Sequence, residues 1–188
     1  ALTGLVAGTP IVLGYVDVVC TSLGAGLYDP GSDTGCSIIG STGMHMRLAT
    51  SPDDVRLNDD LTGYTMCMPI PGVYAQMQSN MAATLNIDWI LSVAGGLLKS
   101  MGVEKTKAEL LAQMEVWLAE ANDRPPIFHP YIAEAGERGP FVDASARASF
   151  IGLNMSSGFP DMVRAVFDGL ALAARDCYLA MGPLPQRV

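Results

Sequence analysis

Basic clusters, long apolar runs, paired cysteines and histidine are all scarce in this sequence, and each shortage removes a class of function. Lys and Arg number 11 against 19 Asp and Glu, a formal net charge of -8 with a pI near 4.5. The cations are scattered. Nucleic-acid binding needs a basic footprint that displaces counterions from phosphates, and none is visible. No basic cluster borders an amphipathic stretch, which argues against a membrane-surface role. The most apolar uncharged window, residues 2–16, holds Pro10 and three glycines and is too short to span a bilayer. The chain opens at Ala1 with no basic n-region or cleavage pattern, which reads as no signal peptide. The four cysteines, Cys20, Cys36, Cys67 and Cys177, form no CxxC pair, and with two histidines no zinc cluster is credible. They read as buried free thiols, which points to a reducing cytoplasm.

Charge is also thin. Charged residues make up 16% and hydrophobic ones 49%, whereas soluble domains average about 25% charged. In 188 residues, enough for one domain or one and a half, so little polar surface implies either a tight globule or apolar faces that something else covers.

Local patterns divide the chain into strands first and helices later. Residues 10–14 (PIVLG) predict a short buried strand stopped by Gly14, and Asp17 a helix N-cap before VVCTSLGAGLY. DPGSDTG is a turn cluster. CSIIGSTGMHMRLAT reads as strand, tight turn, strand. Residues 51–63 read as a polar loop, and YTMCMPIPGVYAQMQ as one or two strands bent at Pro69 and Pro71. A helix is predicted within 81–101. A second begins at Thr106, where Glu109 completes a capping box, with Leu110, Met114, Trp117 and Ala121 as its apolar stripe. RPPIFHP breaks the chain, a strand is expected near 148–153, and a last helix starts between 157 and 161. Its inward stripe is Val163, Val166, Leu170, Ala174, Cys177 and Met181. Gly169 in mid-helix costs about 1 kcal/mol relative to Ala, which suggests close packing against another backbone. The order predicts a mixed α/β or α+β domain.

Three stretches can carry chemistry. Asp17, at the end of the expected strand, is placed where open α/β sheets set their ligands; it is either a general base toward a hydroxyl or a plain cap. Gly40-Ser41-Thr42-Gly43 is a small-residue turn whose successive amides can form an anion-binding nest, with hydroxyls as further donors; the plain alternative is a hairpin turn. His45, two residues on, is a catalytic group or an alternating strand side chain. Gly136-Glu137-Arg138-Gly139-Pro140, with Asp143 and Arg147, is a stiff loop in which Glu137 and Arg138 form ion pairs or face a polar ligand.

Taken in order, these stretches resemble the second domain of the FGGY carbohydrate kinases, which phosphorylate sugars and polyols such as xylulose, ribulose, glycerol and erythritol. GTPIVLGYVD resembles the family's opening GTPVVxGGGD, and Ile39-Gly40-Ser41-Thr42-Gly43 its GTSG-type turn. Gly136-Glu137-Arg138-Gly139-Pro140, Asp143, Ala146-Arg147 and Gly152-Leu153 resemble its GERxP, D, AR and GL elements. Arg164-Ala165-Val166-Phe167-Asp168-Gly169-Leu170-Ala171 resembles RAxxEGxA. Gly43-Met44-His45-Met46-Arg47 is most similar to erythritol and L-xylulose-type members.

The resemblance implies an α/β fold of the actin/hexokinase-like ATPase class with a ribonuclease-H-like core, incomplete here. It implies Asp17 as catalytic base, Gly40, Ser41 and Thr42 as contacts to the phosphates of ATP, and Mg2+ accompanying the nucleotide. Where the family has GGGD, this chain has Gly14-Tyr15-Val16-Asp17, so Tyr15 joins Asp17 in lining the substrate. Family members run to roughly three times this length. Residues 1–188 are therefore expected to be part of a second domain, without the first domain or the adenosine loop, and inactive alone. The expected partners are a sugar or polyol and a second copy or the rest of the kinase, with neither nucleic acid nor membrane. The competing expectation is a non-catalytic actin-like module that binds a nucleotide or partner.

Overall fold

The structure, a computed structural model, describes residues 3–29 and 31–188. Helix α1 (Asp17–Gly24) precedes the hairpin β1 (Gly35–Ile39) and β2 (Gly43–Ala49). A single 3-10 turn, Pro52–Asp54, leads to β3 (Tyr64–Cys67) and β4 (Tyr74–Asn80). Helices α2 (Thr84–Ser100), α3 (Lys107–Ala112) and α4 (Met114–Glu120) follow. The short strands β5 (Ile127–His129) and β6 (Ser149–Ile151) pair, and α5 (Phe159–Ala180) closes the chain.

The main sheet is antiparallel in the order β1-β2-β4-β3. The period-two pattern of its strands sorts side chains onto two faces. Met46, Ala75 and Met77 lie in one apolar cluster with Val19 of α1. The other face is polar: Ser37, His45, Gln76, Gln78 and Asn80 alternate with those residues, and all but half-buried Ser37 are buried. Buried amides must be bonded. Gln76 pairs with both the N–H and the carbonyl of Arg56, and Gln78 bonds the hydroxyl and carbonyl of Thr62. The polar loop 51–63 is thus tied over this face much as another strand would be, beside α5.

A second core joins Ile90 and Leu91 of α2, Leu110, Met114, Phe128, and Val163 and Val166 of α5. Phe128 and Phe150 sit 4.7 Å apart between ring centres, with Trp89 stacked on Phe128 at 6.1 Å. Past α5 the chain returns to the free edge of β1, where the Arg187 carbonyl accepts the Gly35 N–H at 2.7 Å.

Several expectations change. Residues 10–14 form no strand: Ile11, Val12 and Leu13 are 91%, 83% and 101% exposed. Among the described residues no strand pairs with them to accept and donate the ladder bonds a strand requires. Asp17 is the first residue of α1 and not its cap; Val16 holds the cap position. The helix from Thr106 has its full capping box but divides at Gln113. The division lets Leu110 face α2 while α4 turns to α5, where Trp117 meets Phe159 edge-on at 5.1 Å. RPPIFHP contains β5, which its prolines concealed. The four cysteines are all free, but Cys20 and Cys67 are exposed.

Gly169 behaves as expected. A Cβ there would collide with the carbonyl oxygen of Phe128, which is backbone and cannot yield. Gly169→Ala is expected to lower unfolding stability by about 1–3 kcal/mol, as overpacking does, despite Ala's better helix propensity. Urea unfolding of the two proteins checks this; an unchanged or higher midpoint would contradict the close α5–β5 approach.

Candidate functional site

Residues 40–42 turn the chain between β1 and β2, closed by Gly40 N–H donating to the Thr42 carbonyl at 2.9 Å. The turn is docked through its carbonyls. Ala83 and Thr84, at the start of α2, donate their N–H groups to the carbonyls of Ser41 (2.8 Å) and Gly40 (3.0 Å), and the Thr84 hydroxyl adds a bond to Gly40 at 2.8 Å. This satisfies amides that a helix N-terminus leaves free. It also leaves the N–H groups and hydroxyls of Ser41 and Thr42 exposed and without a protein acceptor among the described residues. The chemistry on offer is a cluster of donors for anionic oxygens.

The 136–140 loop arrives at the same end of the sheet. Glu137 is 2% exposed, and its Oε1 accepts the N–H groups of Met81 (3.0 Å), Arg138 (2.8 Å) and Gly139 (3.3 Å). Met81 directly follows Asn80, the register partner of Gly43. The expected ion pair is absent: Glu137 serves backbone amides and Arg138 is exposed. A carboxylate that satisfies three backbone amides fixes a loop more tightly than a surface pair would. Asp143 pairs its backbone with Glu137 and accepts from Ser145, and Arg147 donates to the carbonyls of Ala144 and Ala146. His45 is 1% exposed and belongs to a bonded cluster behind the turn, not to a surface.

Asp17 is exposed, in the first turn of α1, where the helix dipole favours a carboxylate. Its Oδ1 accepts the N–H of Val18 at 2.8 Å. Tyr15 is anchored by its hydroxyl to the Met68 carbonyl at 3.4 Å, in the connection between β3 and β4. By register that connection lies at the Ala49–Tyr74 end of the sheet, whereas the turn lies at the Gly43–Asn80 end. No hydrogen bond or ion pair among the described residues joins Asp17 to the turn. The structure therefore unites the second and third motifs and leaves the first apart. Among the described residues no group of three His, Cys, Asp or Glu is placed to hold a metal, and no helix is long and apolar enough to cross a membrane. Asn80 and Gln78 carried no sequence signal beyond being amides in a strand pattern.

Comparison with known proteins finds sugar and polyol kinases. The model of the FGGY family of carbohydrate kinases, C-terminal domain, matches residues 35–187. The erythritol kinase of Brucella abortus (strain 2308) is 51% identical over 185 residues, 98% of this chain and 35% of that protein. The xylulose kinase of Escherichia coli (strain K12) is 24% identical over 97% of this chain and 35% of its own length. The structure of xylulose kinase from Rhodospirillum rubrum matches 99% of this chain and 35% of its own, with a TM-score of 0.76 and 26% identity. That of Plasmodium falciparum glycerol kinase with ADP shares the fold, with a TM-score of 0.63 at 19% identity over 87% of this chain and 30% of its own. The chain spans about a third of the length of these relatives.

Burial raises the pKa of Glu137 above its ordinary 4.5, more than its backbone bonds lower it. The folded state then holds this proton to higher pH than the unfolded chain. Its contribution is most favourable below pH 4.5 and is lost as pH rises through the raised value. Glu137→Gln can keep all three bonds to Oε1 and is expected to remove that decline, read as unfolding midpoint against pH. Glu137→Ala strands three amides and is expected to cost about 3 kcal/mol. A Gln variant as weakened as the Ala variant would contradict this account.

Proposed function

The chain belongs to the FGGY family of carbohydrate kinases, and from that premise we propose that it is part of the second domain of an ATP-dependent polyol or sugar kinase. The first domain and the adenosine loop are assigned to sequence outside these 188 residues. The observation that carries the reading is the 40–42 turn, with four donors on Ser41 and Thr42 free of protein acceptors. These fit phosphate oxygens, so Ser41 and Thr42 hold the phosphates of ATP, and Gly40, whose N–H closes the turn on the Thr42 carbonyl, shapes the cradle. Mg2+ bound with the nucleotide supplies charge neutralisation in phosphoryl transfer. The donor set described here suits phosphate rather than metal, which agrees with an ion carried by ATP.

Asp17 takes the proton from the substrate hydroxyl that attacks the γ-phosphorus. Its exposure suits a base that meets substrate across a cleft. Tyr15, held by the Met68 carbonyl, presents its ring beside that approach. The rest of the kinase covers Leu5, Val6, Ile11, Val12 and Leu13, which are exposed here. A polyol of four carbons is the first substrate to try, given 51% identity to a protein named erythritol kinase. The four free thiols suit a reducing cytoplasm.

The test is ATP-dependent phosphorylation by the full-length protein of a panel of tetritols, pentuloses and glycerol. Asp17→Asn cannot accept the proton and is expected to lose about a hundred- to ten-thousand-fold in kcat while remaining folded. A variant with full activity would remove Asp17 from the chemistry. If no member of the panel turns over, the non-catalytic nucleotide- or partner-binding module takes the kinase's place.

A further inference from the structure

Behind the turn, a single file of hydrogen bonds runs from α5 to the 136–140 loop. The Tyr178 hydroxyl lies 2.9 Å from Ser37 Oγ, which lies 2.9 Å from His45 Nδ1. His45 Nε2 lies 3.0 Å from Asn80 Oδ1. Asn80 Nδ2 reaches the Gly139 carbonyl at 3.5 Å and Cys177 Sγ at 3.3 Å.

One end forces the direction of the whole file. A carbonyl only accepts, so Asn80 turns its NH2 to Gly139 and its oxygen to His45. That oxygen only accepts, so the imidazole proton sits on Nε2. Nδ1 then accepts from the Ser37 hydroxyl, which accepts from Tyr178. One tautomer of a neutral ring satisfies every bond. An imidazolium donates from both nitrogens, so Ser37 Oγ, accepting from Nδ1–H, must either leave its own proton without a partner or turn it back on Tyr178. The phenol, 4% exposed, has no second acceptor among its hydrogen bonds.

The file passes under the root of the turn. Gly43 is the first residue of β2, and a Cβ there would lie 3.1 Å from His45 Nε2 and 3.3 Å from Asn80 Oδ1. The same Asn80 is one residue from Met81, whose N–H Glu137 holds.

We propose that His45 and Asn80 are positioning residues for the phosphate turn: the neutral pair locks Gly43 against the Gly139 loop, and protonating His45 breaks the file and loosens residues 40–42, weakening ATP binding in acid. This rests on the phosphate role proposed for the turn. Burial holds the imidazole below its ordinary 6.5, outweighing the bond it donates to Asn80, so the ring is neutral at pH 7.

Other charged or titratable groups near this face are few. From α5 come Tyr178, raised by burial, and Cys177, pushed up to about 12 by burial; neither titrates near neutrality. Arg47, on β2 itself, donates to the Met181 and Pro183 carbonyls. Asp176 of α5 acts on Cys177 through its charge, and Glu137, which enters through Met81 from the loop, competes through its raised pKa, so all proteins are compared in a Glu137→Gln background as well.

The experiment measures ATP affinity of the full-length protein by titration calorimetry from about pH 7.5 to about pH 5.5, across the ordinary histidine range, with KM for the polyol alongside. His45→Gln places an amide NH2 near the Nε2 position and cannot titrate. The wild type is expected to lose affinity progressively toward the acid end of the range, by less than about tenfold at about pH 5.5 because the ring titrates below 6.5. His45→Gln is expected to keep its affinity to within about twofold, and protonation of the nucleotide is common to both. Asn80→Ala, provided its unfolding remains cooperative, is expected to bind ATP about tenfold more weakly at every pH, with the polyol KM unchanged. A flat wild-type profile, or the same fall in His45→Gln, overturns the proposal. Ser41→Ala/Thr42→Ala is measured in parallel. If that double variant binds ATP normally, the phosphate reading fails and this one with it. If it binds weakly while the His45 and Asn80 variants match wild type, only the positioning role fails.

Discussion

Buried polar groups accept no half-measures, and the sheet's α5 face is built almost wholly of them. An unbonded amide in a low-dielectric interior costs more than its bond would have contributed. Gln76, Gln78, Asn80 and His45 therefore dictate where the pieces around them lie. Gln76 and Gln78 draw the 51–63 loop across the face. Asn80 and Glu137 draw in the 136–140 loop, and Ser37 and His45 engage α5 through Tyr178. An apolar face would tolerate many packings at similar cost. This one tolerates few, because each amide has a fixed donor and a fixed acceptor end.

That constraint reaches the turn at residues 40–42. Its carbonyls are consumed by the start of α2, and its root is braced by His45 and Asn80. What remains facing outward is a small set of hydrogen-bond donors. A turn that must present donors to an anion gains from a rigid base, since any disorder left in it is lost on binding. The opposite end of the sheet, with Tyr15 and Asp17, has no such bracing. Its approach is an extended apolar segment, which fits a chain spanning about a third of its relatives' length, 35% of the erythritol kinase. The low charge content noticed in the sequence has its counterpart there, in side chains such as Ile11 and Leu13 that meet solvent.

Much of the fold was legible. The β1–β2 hairpin, the capping box at Thr106, the stripe on α5 and the close approach at Gly169 all follow from local rules that the chain obeys. The family was legible too, because its motifs are short, ordered and spaced alike. The misreadings share one cause. Residues 10–14 have strand composition but no partner; residues 127–129 have breaker composition but find β6. Pairing in a sheet belongs to two segments, and a single segment's pattern carries only half of it. Glu137 was noticed as charged, but its acceptance of three amides depends on where Met81 falls.

By itself, then, the sequence determined the family, the helical and hairpin segments, and the residue types available for phosphate and proton chemistry, since these depend on short-range patterns and order along the chain. Only the tertiary structure decided that the 40–42 turn and the 136–140 loop share one end of the sheet, that Tyr15 is bonded at the other, and that His45 is buried behind the turn. Those outcomes depend on contacts between residues as far apart as Ser37 and Tyr178, and such contacts exist only once the buried polar groups have found their partners.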